Sequence, residues 1–277
     1  MMNCVNLYLL APLHTGGTSQ EGNLVGIARE SHTNFPYIPS SSIRGRLRAS
    51  MIDRIQQTQL FGNLLDDVKD KDFVAEYHAE TQIKLEGLEQ GQIWIGDGSI
   101  LWLPVPSMSH GVVWISCPML LRRWGRLHGI TDIPPEYSTS LGTSASIYLK
   151  DAIIKLEHLR EWAEWKTFVT QPNSPIERVL VLPDRHYGTV VQMSLWRQMK
   201  IRLDKDKHVD GGFRSEESIP PDTMMYFPWG TTAQTNGTST QARSNFQALL
   251  DTQPILQFGG QESLGRGFVE HWSSFKN

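Results

Sequence analysis

The chain has 277 residues, of which 39% are hydrophobic and 20% charged. This is enough to bury a sizeable core, and it excludes a chain that is disordered throughout. Its 26 Lys and Arg residues against 29 Asp and Glu residues leave a formal net charge of -3, which argues against a protein that holds polyanions by bulk positive charge. Since neither an internal repeat nor a linker composition is visible, a single domain with insertions over residues 1–277 is predicted.

Cysteine content and hydropathy indicate the compartment. The two cysteines, Cys4 and Cys117, cannot build a disulfide framework and suit a reducing environment. The start of the sequence lacks the basic segment of a secretory signal. The longest apolar run, residues 112–121, is much shorter than the ~20 residues that span a bilayer. A cytoplasmic protein without membrane contact is therefore expected.

The first part of the chain predicts one strand and two loops. Residues 5–10 are apolar and precede Pro12, which is typical of a short buried strand. Residues 15–22 are rich in Gly, Ser and Thr, and residues 64–76 are charged and poor in aromatic side chains. Both segments are predicted to be loops.

The clearest predicted helix begins at residues 40–42, three serines that serve as N-caps. Its apolar positions recur every four residues and are Ile43, Leu47, Met51 and Ile55, with Ile52 beside them. Arg44 stands in the first turn, where the unpaired N–H groups and the helix dipole favour an anion such as a backbone phosphate. An ordinary amphipathic helix with a solvated arginine face explains the same pattern.

The middle of the chain mixes both kinds of element. Residues 92–95 and 100–105 predict two strands of a hairpin, joined by a turn at residues 96–98. A second basic helix is predicted over residues 118–128. Residues 147–156 fit a strand or a helix, and residues 157–168 have helical spacing.

Two polar stretches predict mobile loops, at about residues 130–146 and 230–242. Between them, an alternating segment at residues 190–203 ends in the charged turn 204–207, and an apolar run resumes at 223–227, so a hairpin is predicted there.

The end of the chain predicts a strand, a glycine-rich loop at residues 259–267 and a final strand. The mixture of strands and helices along the whole chain predicts an α+β fold.

Few side chains carry a recognisable chemistry. The glycines 259, 260 and 265 with Arg266 resemble a phosphate cradle, because glycines let backbone N–H groups approach an anion; a plain tight turn is equally compatible. His14 precedes two glycines and fits a general base, a ligand of a nucleic-acid backbone or a structural histidine. The histidine spacing matches no metal motif, and the cysteine and serine contexts match no nucleophile motif.

Several motifs in one order carry a resemblance. They are residues 14–17 (HTGG), 29–33 (RESHT), 35–39 (FPYIP), 41–48 (SSIRGRLR), 61–62 (FG), 103–107 (LPVPS), 111–118 (GVVWISCP), 120–123 (LLRR), 211–217 (GGFRSEE), 220–223 (PPDT), 256–260 (LQFGG) and 265–267 (GRG). Together they resemble the RAMP superfamily of CRISPR-associated proteins, in particular the repeated backbone subunit of type III-B effector complexes. The resemblance covers nearly the whole chain.

The resemblance implies a fold and an RNA partner. The expected fold is a ferredoxin-like (RRM-like) palm with insertions and a β-hairpin thumb, here at about residues 193–227. Such subunits polymerise along a CRISPR guide RNA and pair it with target RNA. By match of motif and nearby charge, the residues expected at the RNA are His14, Ser42, Arg44, Arg48, Arg202, Gly259, Gly260, Gly265 and Arg266.

The resemblance leaves cleavage in question. In the family, a loop before the Arg-Glu pair supplies an aspartate that cleaves target RNA with a divalent metal ion. Aligning on Arg29 places Leu24 at that position, and a one-residue shift places Asn23 there. Leucine neither binds a metal ion nor takes up a proton, and an amide is not a general base at neutral pH. Glu21 is the nearest carboxylate and the candidate catalytic residue.

The expected function is therefore a guide-RNA-binding backbone subunit in antiviral defence, with target cleavage weak or lost. RNA binding needs no cofactor, whereas retained cleavage would need a divalent metal such as magnesium. The implied partners are guide crRNA, target RNA, further copies or paralogues of the subunit, a large polymerase-like subunit and a small helical subunit. The alternatives are a metal-dependent endoribonuclease using Glu21, a stand-alone guide-processing nuclease using His14, and a small-molecule enzyme.

Overall fold

The structure is a computed structural model that describes residues 2–21, 24–169, 174–232 and 239–274. Its strands are β1 (Asn3–Leu9), β2 (Gly16–Glu21), β3 (Leu24–Ile27), β4 (Tyr37–Ile38), β5 (Ile93–Ile95), β6 (Gly98–Ser107), β7 (Gly111–Ser116), β8 (Ser138–Thr139), β9 (Ile147–Leu149), β10 (Ala152–Ile154), β11 (Arg160–Glu161), β12 (Val179–Val181), β13 (Trp196–Leu203), β14 (Val209–Ser218), β15 (Met224–Thr231), β16 (Ile255–Gln257) and β17 (Phe268–Ser274). Its α-helices are α1 (Ser40–Ser50), α2 (Arg54–Phe61), α3 (Leu65–Lys69), α4 (Lys71–Thr81), α5 (Pro118–His128), α6 (Asp184–Ser194) and α7 (Ser239–Asp251).

The centre of the fold is an antiparallel run of strands in the order β7-β6-β15-β1-β17-β16, part of a 13-stranded sheet. All seven residues of β1 are buried, because β15 and β17 pair with its two edges and the two main core clusters include side chains from this strand. The mixed architecture confirms the predicted α+β fold. No helix among the described residues is long and apolar enough to cross a membrane.

The predicted strands around residues 92–105 form, but they do not make a hairpin. Both β5 and β6 pair antiparallel with the same strand, β15, through Trp229↔Ile95 and Tyr226↔Ser99. Residues 96–98 therefore do not reverse the chain direction. They form an irregular link between β5 and β6, which lie one after the other along the same edge of β15. The Gly96 N–H donates to the Pro228 carbonyl at 2.8 Å, which keeps this link on the sheet.

The helix predicted from residue 40 is shorter than its apolar spacing suggests, and the serine caps are wrong. Pro39 occupies the N-cap position without a side-chain bond, and the Ser40 N–H donates instead to Asp97 Oδ1 at 2.7 Å. The helix ends at Ser50, so Ile52 is fully exposed. A new helix, α2, then starts behind an Asp53 cap.

Two segments predicted as loops contain regular structure. Within residues 64–76, α3 and α4 form; Asp70 caps α4 through the Phe73 N–H at 3.1 Å, and Phe73 and Tyr77 pack in a small core with Ile55. Within residues 15–22, strand β2 pairs antiparallel with β3. In both cases tertiary contacts override a polar local composition.

A β-hairpin lies within the range predicted for the thumb, about residues 193–227, and it is shorter than that range. It consists of β13 and β14 and spans Trp196 to Ser218. Residues 190–194 belong to α6, and 224–227 belong to the central strand β15. The charged turn is present: Asp204 Oδ1 accepts the N–H groups of Asp206 and His208 at 2.9 Å each. The hairpin joins β3 and β2 in a separate four-stranded sheet, β13-β14-β3-β2.

The remaining boundaries also differ from the predictions. The loop predicted at 130–146 contains the short strand β8. The loop predicted at 230–242 overlaps the end of β15 and the start of α7, and its residues 233–238 lie outside the described residues. Residues 147–154 resolve as the β9–β10 hairpin. Residues 157–168 form no α-helix but two 3-10 turns and β11, because their apolar side chains cover the tryptophan cluster around Trp102.

Candidate nucleic-acid interface

The β13–β14 hairpin has two chemically different faces. Directly opposed residues share a face, and the two faces alternate along each strand. One face, called the cationic face, carries Trp196, Gln198, Lys200, Arg202, Arg214 and Glu216. The other face carries the ion pair of Arg197 and Glu217 at its base. Its outer part, called the apolar face, carries Met199, Ile201 and Phe213, each more than half exposed. The hairpin therefore offers positive charge on one side and a hydrophobic surface on the other.

The cationic face is joined to the glycine-rich loop, residues 259–267. Gln261 Nε2 donates to Glu216 Oε2 at 2.7 Å, and Lys200 Nζ donates to Gln261 Oε1 at 3.2 Å. Arg266 donates to the side-chain oxygen of Gln198, and its guanidinium lies 5.9 Å from the centre of the Trp196 ring. The predicted Arg266 thus stands beside the cationic face.

The shape of the loop depends on its glycines. Gly259, Gly265 and Gly267 have φ values of +74°, +72° and +76°, in the left-handed region that glycine adopts at no steric cost. A Cβ at Gly267 would overlap the Phe258 carbonyl, whereas Gly265 has open space around it. The loop therefore keeps its backbone close to neighbouring carbonyls on one side and leaves Gly265 free to approach a ligand.

His14 connects this loop to β14. Its Nδ1 lies 2.7 Å from the Glu217 carbonyl oxygen, and its own carbonyl accepts the Gly260 N–H at 3.0 Å. A Cβ at Gly259 would overlap that same carbonyl. The side chain is buried. Sequence reasoning placed His14, Gly259, Gly260 and Arg266 in one site, and the structure brings these four residues together.

The base of the hairpin is held by a buried carboxylate. Glu217, with a side chain 3% exposed, accepts from Arg29 at 2.7 Å and lies 3.0 Å from Arg197. Glu30, the residue after Arg29, forms an ion pair at 2.7 Å with Arg123 of α5. The side chains of Arg29, Arg197 and Glu217 line a cavity of about 590 Å³ between β3, α6 and the segment that precedes α1.

The adjacent carboxylate, Glu216, is also buried and has two cationic partners. Lys200 lies 2.5 Å and Arg214 2.7 Å from its oxygens. Burial alone would raise the pKa of Glu216, but hydrogen bonds from Lys200 and Gln261 and the charges of Lys200 and Arg214 outweigh burial and lower it. The carboxylate is therefore held ionised where the hairpin meets the glycine-rich loop.

Leu24 lines the cavity that is also lined by Arg29, Arg197 and Glu217. It lies in β3, in register with Ser215 of β14 on one side and with Glu21 of β2 on the other. The side chain of Glu21 and all of Asn23 lie outside the described residues. A divalent ion of the magnesium type needs oxygen ligands, and Leu24 offers none, so the residue at this position does not fit the metal that the resemblance implies.

The helix α1 arginines lie in a different environment. Arg44 donates to the Phe61 carbonyl, and Arg48 donates to the Gly62 carbonyl at 2.6 Å, so both cover the carboxyl end of α2. Burial lowers the pKa of Arg44, and the charge of Arg48 lowers it further. None of the hydrogen bonds or ion pairs found for these two described side chains reaches the glycine-rich loop.

The remaining predicted residues are exposed or half-buried. Ser42 is half-buried, and its N–H donates to the Pro39 carbonyl at 2.9 Å, next to the cavity. Arg202 lies towards the end of the hairpin and faces Asp210 at 3.7 Å. Their contact with RNA stays a prediction.

Sequence reasoning missed the residues that hold the site together. Arg29, Glu216 and Glu217 were recognised only as letters of motifs, and Gln261 was not singled out. The sequence does contain a signal for them. Two consecutive glutamates in a strand point to opposite faces of the sheet, so each of them needs its own cationic partner wherever it is buried.

Comparison with known proteins places this geometry in a family. The model of the RAMP superfamily matches residues 6–270. A protein named CRISPR system Cmr endoribonuclease Cmr4, from Pyrococcus furiosus, is 27% identical over 96% of this chain and 93% of its own.

Solved structures show the same fold. The crystal structure of oligomeric Cmr4 from Pyrococcus furiosus superposes with a TM-score of 0.68 and 21% identity, covering 100% of this chain and 99% of the other. A chain of the type III-B Cmr-beta complex bound to cognate target RNA gives a TM-score of 0.69 and 19% identity, covering 99% of this chain and 97% of the other.

Proposed function

The chain belongs to the RAMP superfamily, and on that premise we propose that it is a guide-RNA-binding backbone subunit of a type III CRISPR effector complex. The observation that carries the proposal is the match to Cmr4, which extends over 96% of this chain and 93% of the relative. A match of this extent includes both the hairpin and the glycine-rich loop, the two parts that form the candidate interface.

The guide backbone would lie along the glycine-rich loop and the cationic face of the hairpin. The open space beside Gly265 lets a backbone phosphate approach the loop closely, and the charge of Arg266 suits its oxygens. Glu216 pairs with both Lys200 and Arg214, so its single negative charge offsets one of these two positive charges and the three side chains together carry a net charge of +1. Specificity would come from base pairing between guide and target, with the protein supplying backbone contacts.

Assembly explains how a chain of net charge -3 serves RNA. Each subunit would contact a few nucleotides, and adjacent copies would add their contacts by avidity. The proposed partners are guide and target RNA, further copies or paralogues of the subunit, a large polymerase-like subunit and a small helical subunit. Support comes from relatives described as an oligomeric Cmr4 and as a Cmr-beta complex bound to cognate target RNA.

We further propose that target cleavage is weak or lost in this subunit. Leu24 stands where the family's cleaving aspartate is expected, and a hydrocarbon side chain supplies neither a metal ligand nor a base. Two observations favour the alternative of an active endoribonuclease: the Cmr4 relative is named as one, and Glu21 is the register partner of Leu24.

The experiment is a target-RNA cleavage assay in the assembled complex with magnesium. Wild type is expected to give no regular ladder of cuts, and Leu24→Asp is expected to produce or strengthen one. A robust wild-type ladder that Glu21→Ala abolishes would establish the endoribonuclease instead. Leu24→Asn, which is similar in size to the aspartate variant but carries no charge, is the matched control.

A further inference from the structure

Gln261 has an unusual backbone conformation. It adopts φ +66° and ψ 35°, in the left-handed region that non-glycine residues visit rarely. The residue is neither Gly nor Asn, the types that tolerate this region best. Such conformations persist only where the surroundings hold them, and they concentrate at functional sites.

Both ends of the Gln261 amide are engaged by the hairpin. The Nε2 group donates to the buried Glu216 at 2.7 Å, and Oε1 accepts from Lys200 at 3.2 Å. Because Lys200 also pairs with Glu216 at 2.5 Å, the three side chains form a closed ring of contacts across the junction between loop and hairpin.

The Gln261 backbone also closes the glycine-rich loop. Its carbonyl accepts the N–H groups of Leu264 at 3.0 Å and Arg266 at 3.3 Å. One residue therefore determines where the Arg266 backbone lies and, through its side chain, where Glu216 of the hairpin lies. The contact of Arg266 with Gln198 adds a second bridge between the same two parts.

We propose that Gln261 is a positioning residue that couples the glycine-rich loop to the hairpin, so that guide RNA held at the loop orders the hairpin at a fixed orientation. This inference rests on the proposed function for its RNA ligand. Gln261 acts through Glu216 and Lys200. Its role is to keep the hairpin in place relative to the guide backbone.

The test is hydrogen exchange of the full chain, free and with a synthetic guide RNA. Gln261→Gly is the informative variant, because glycine adopts the left-handed backbone at no steric cost while the amide is lost. We expect the amides of the hairpin, Trp196 to Ser218, to exchange at least about 5-fold faster in this free variant. In wild type the guide slows exchange in loop and hairpin, and in the variant it slows exchange in the loop alone.

A double variant that swaps the two side chains tests whether the contact between residues 216 and 261 positions the hairpin, or whether the effect comes only from losing a side chain. The double variant Glu216→Gln with Gln261→Glu restores one amide and one carboxylate at the junction, so it is expected to return hairpin exchange towards the wild-type rate. Gln241→Ala, which removes a glutamine from the exposed side of α7 where it donates to Asn245, is the control and should leave the hairpin unchanged.

Two results would overturn the inference. One is a free Gln261→Gly protein whose hairpin exchanges at the wild-type rate, and the other is a guide that protects the hairpin equally in variant and wild type. A wild-type chain that fails to bind guide RNA would refute the proposed function, while exchange of the free proteins would still decide whether Gln261 holds the hairpin.

Discussion

Arg29 and Glu217 lie 188 residues apart in the sequence, and their side chains meet at 2.7 Å. The carboxylate is almost fully buried, and Arg197 of β13 approaches its other oxygen. Because Glu30 pairs with Arg123 of α5, two consecutive residues join the base of the hairpin to the body of the protein. This ionic chain holds the hairpin beside the cavity lined by Leu24.

Removing Arg29 should destabilise the protein. Arg29→Ala leaves the buried Glu217 with one cationic partner, Arg197, so we expect a loss of about 3 kcal/mol in the free energy of unfolding, towards the lower end for a broken buried pair. Urea denaturation measures it. Arg202→Ala breaks an exposed pair with Asp210 and should change little. Equal stability of Arg29→Ala and wild type would show that the ion pair of Arg29 and Glu217 does not contribute to the free energy of unfolding.

The glycines of the loop should differ in their tolerance of a side chain. Gly267→Ala forces a Cβ against the Phe258 carbonyl at positive φ, so we expect a loss of about 3 kcal/mol or more. Gly265→Ala meets open space at a similar φ and should lose about 1 kcal/mol. Thermal denaturation of the two variants compares them. If Gly265→Ala were the more damaging, the described loop geometry would be wrong.

Stability should depend on pH through Glu216. Since its folded pKa is lowered, the unfolded chain binds the proton first as pH falls. The stabilisation is complete above the ordinary glutamate pKa and is lost as pH falls through the lower folded value, that is, below about pH 5. Denaturant titrations at several pH values give the free energy of unfolding as a function of pH. Between about pH 5 and pH 3 this free energy should fall less steeply with decreasing pH for Glu216→Gln than for wild type. Part of the slope persists because the pKa of Asp67 is also lowered despite its burial. A slope identical to that of wild type would contradict the prediction.

Arg48 should matter for folding whether or not it meets RNA. Arg48→Ala leaves the Gly62 carbonyl without its donor and removes one cation near the buried Asp67, so we expect a loss of about 1–3 kcal/mol in the free energy of unfolding. Arg122→Ala, on the exposed side of α5, is the control. A variant as stable as wild type but weaker in RNA binding would assign Arg48 to the RNA alone.

Some parts of the fold and site could be predicted from sequence because their signal is local. The apolar run of β1, the alternating strands around a charged turn and the glycines at 259–267 each specify their own conformation. His14 and the glycines of the loop are all among the residues predicted to bind RNA. The structure brings His14 and Gly260 into contact, and their role at RNA stays a prediction.

Other parts could not be predicted because distant residues determine them. Strand β2 forms from a Gly- and Thr-rich segment because β3 pairs with it. The polar helix α4 forms because Asp70 caps it and Phe73 finds a core contact in Ile55. The arginines of α1 look solvated in sequence, yet Arg44 and Arg48 cover carbonyls of a helix that begins only after α1 has ended.

Guide-RNA affinity measured as a function of salt decides whether this chain is an RNA-binding subunit. We expect the full chain to bind guide RNA with an affinity that falls as salt rises, and Arg266→Glu to weaken binding and reduce the slope by about one phosphate contact. Lys69→Glu, on an exposed helix with Asp66 as its partner, should change neither. Identical affinity and slope for wild type and Arg266→Glu would contradict RNA binding at the glycine-rich loop.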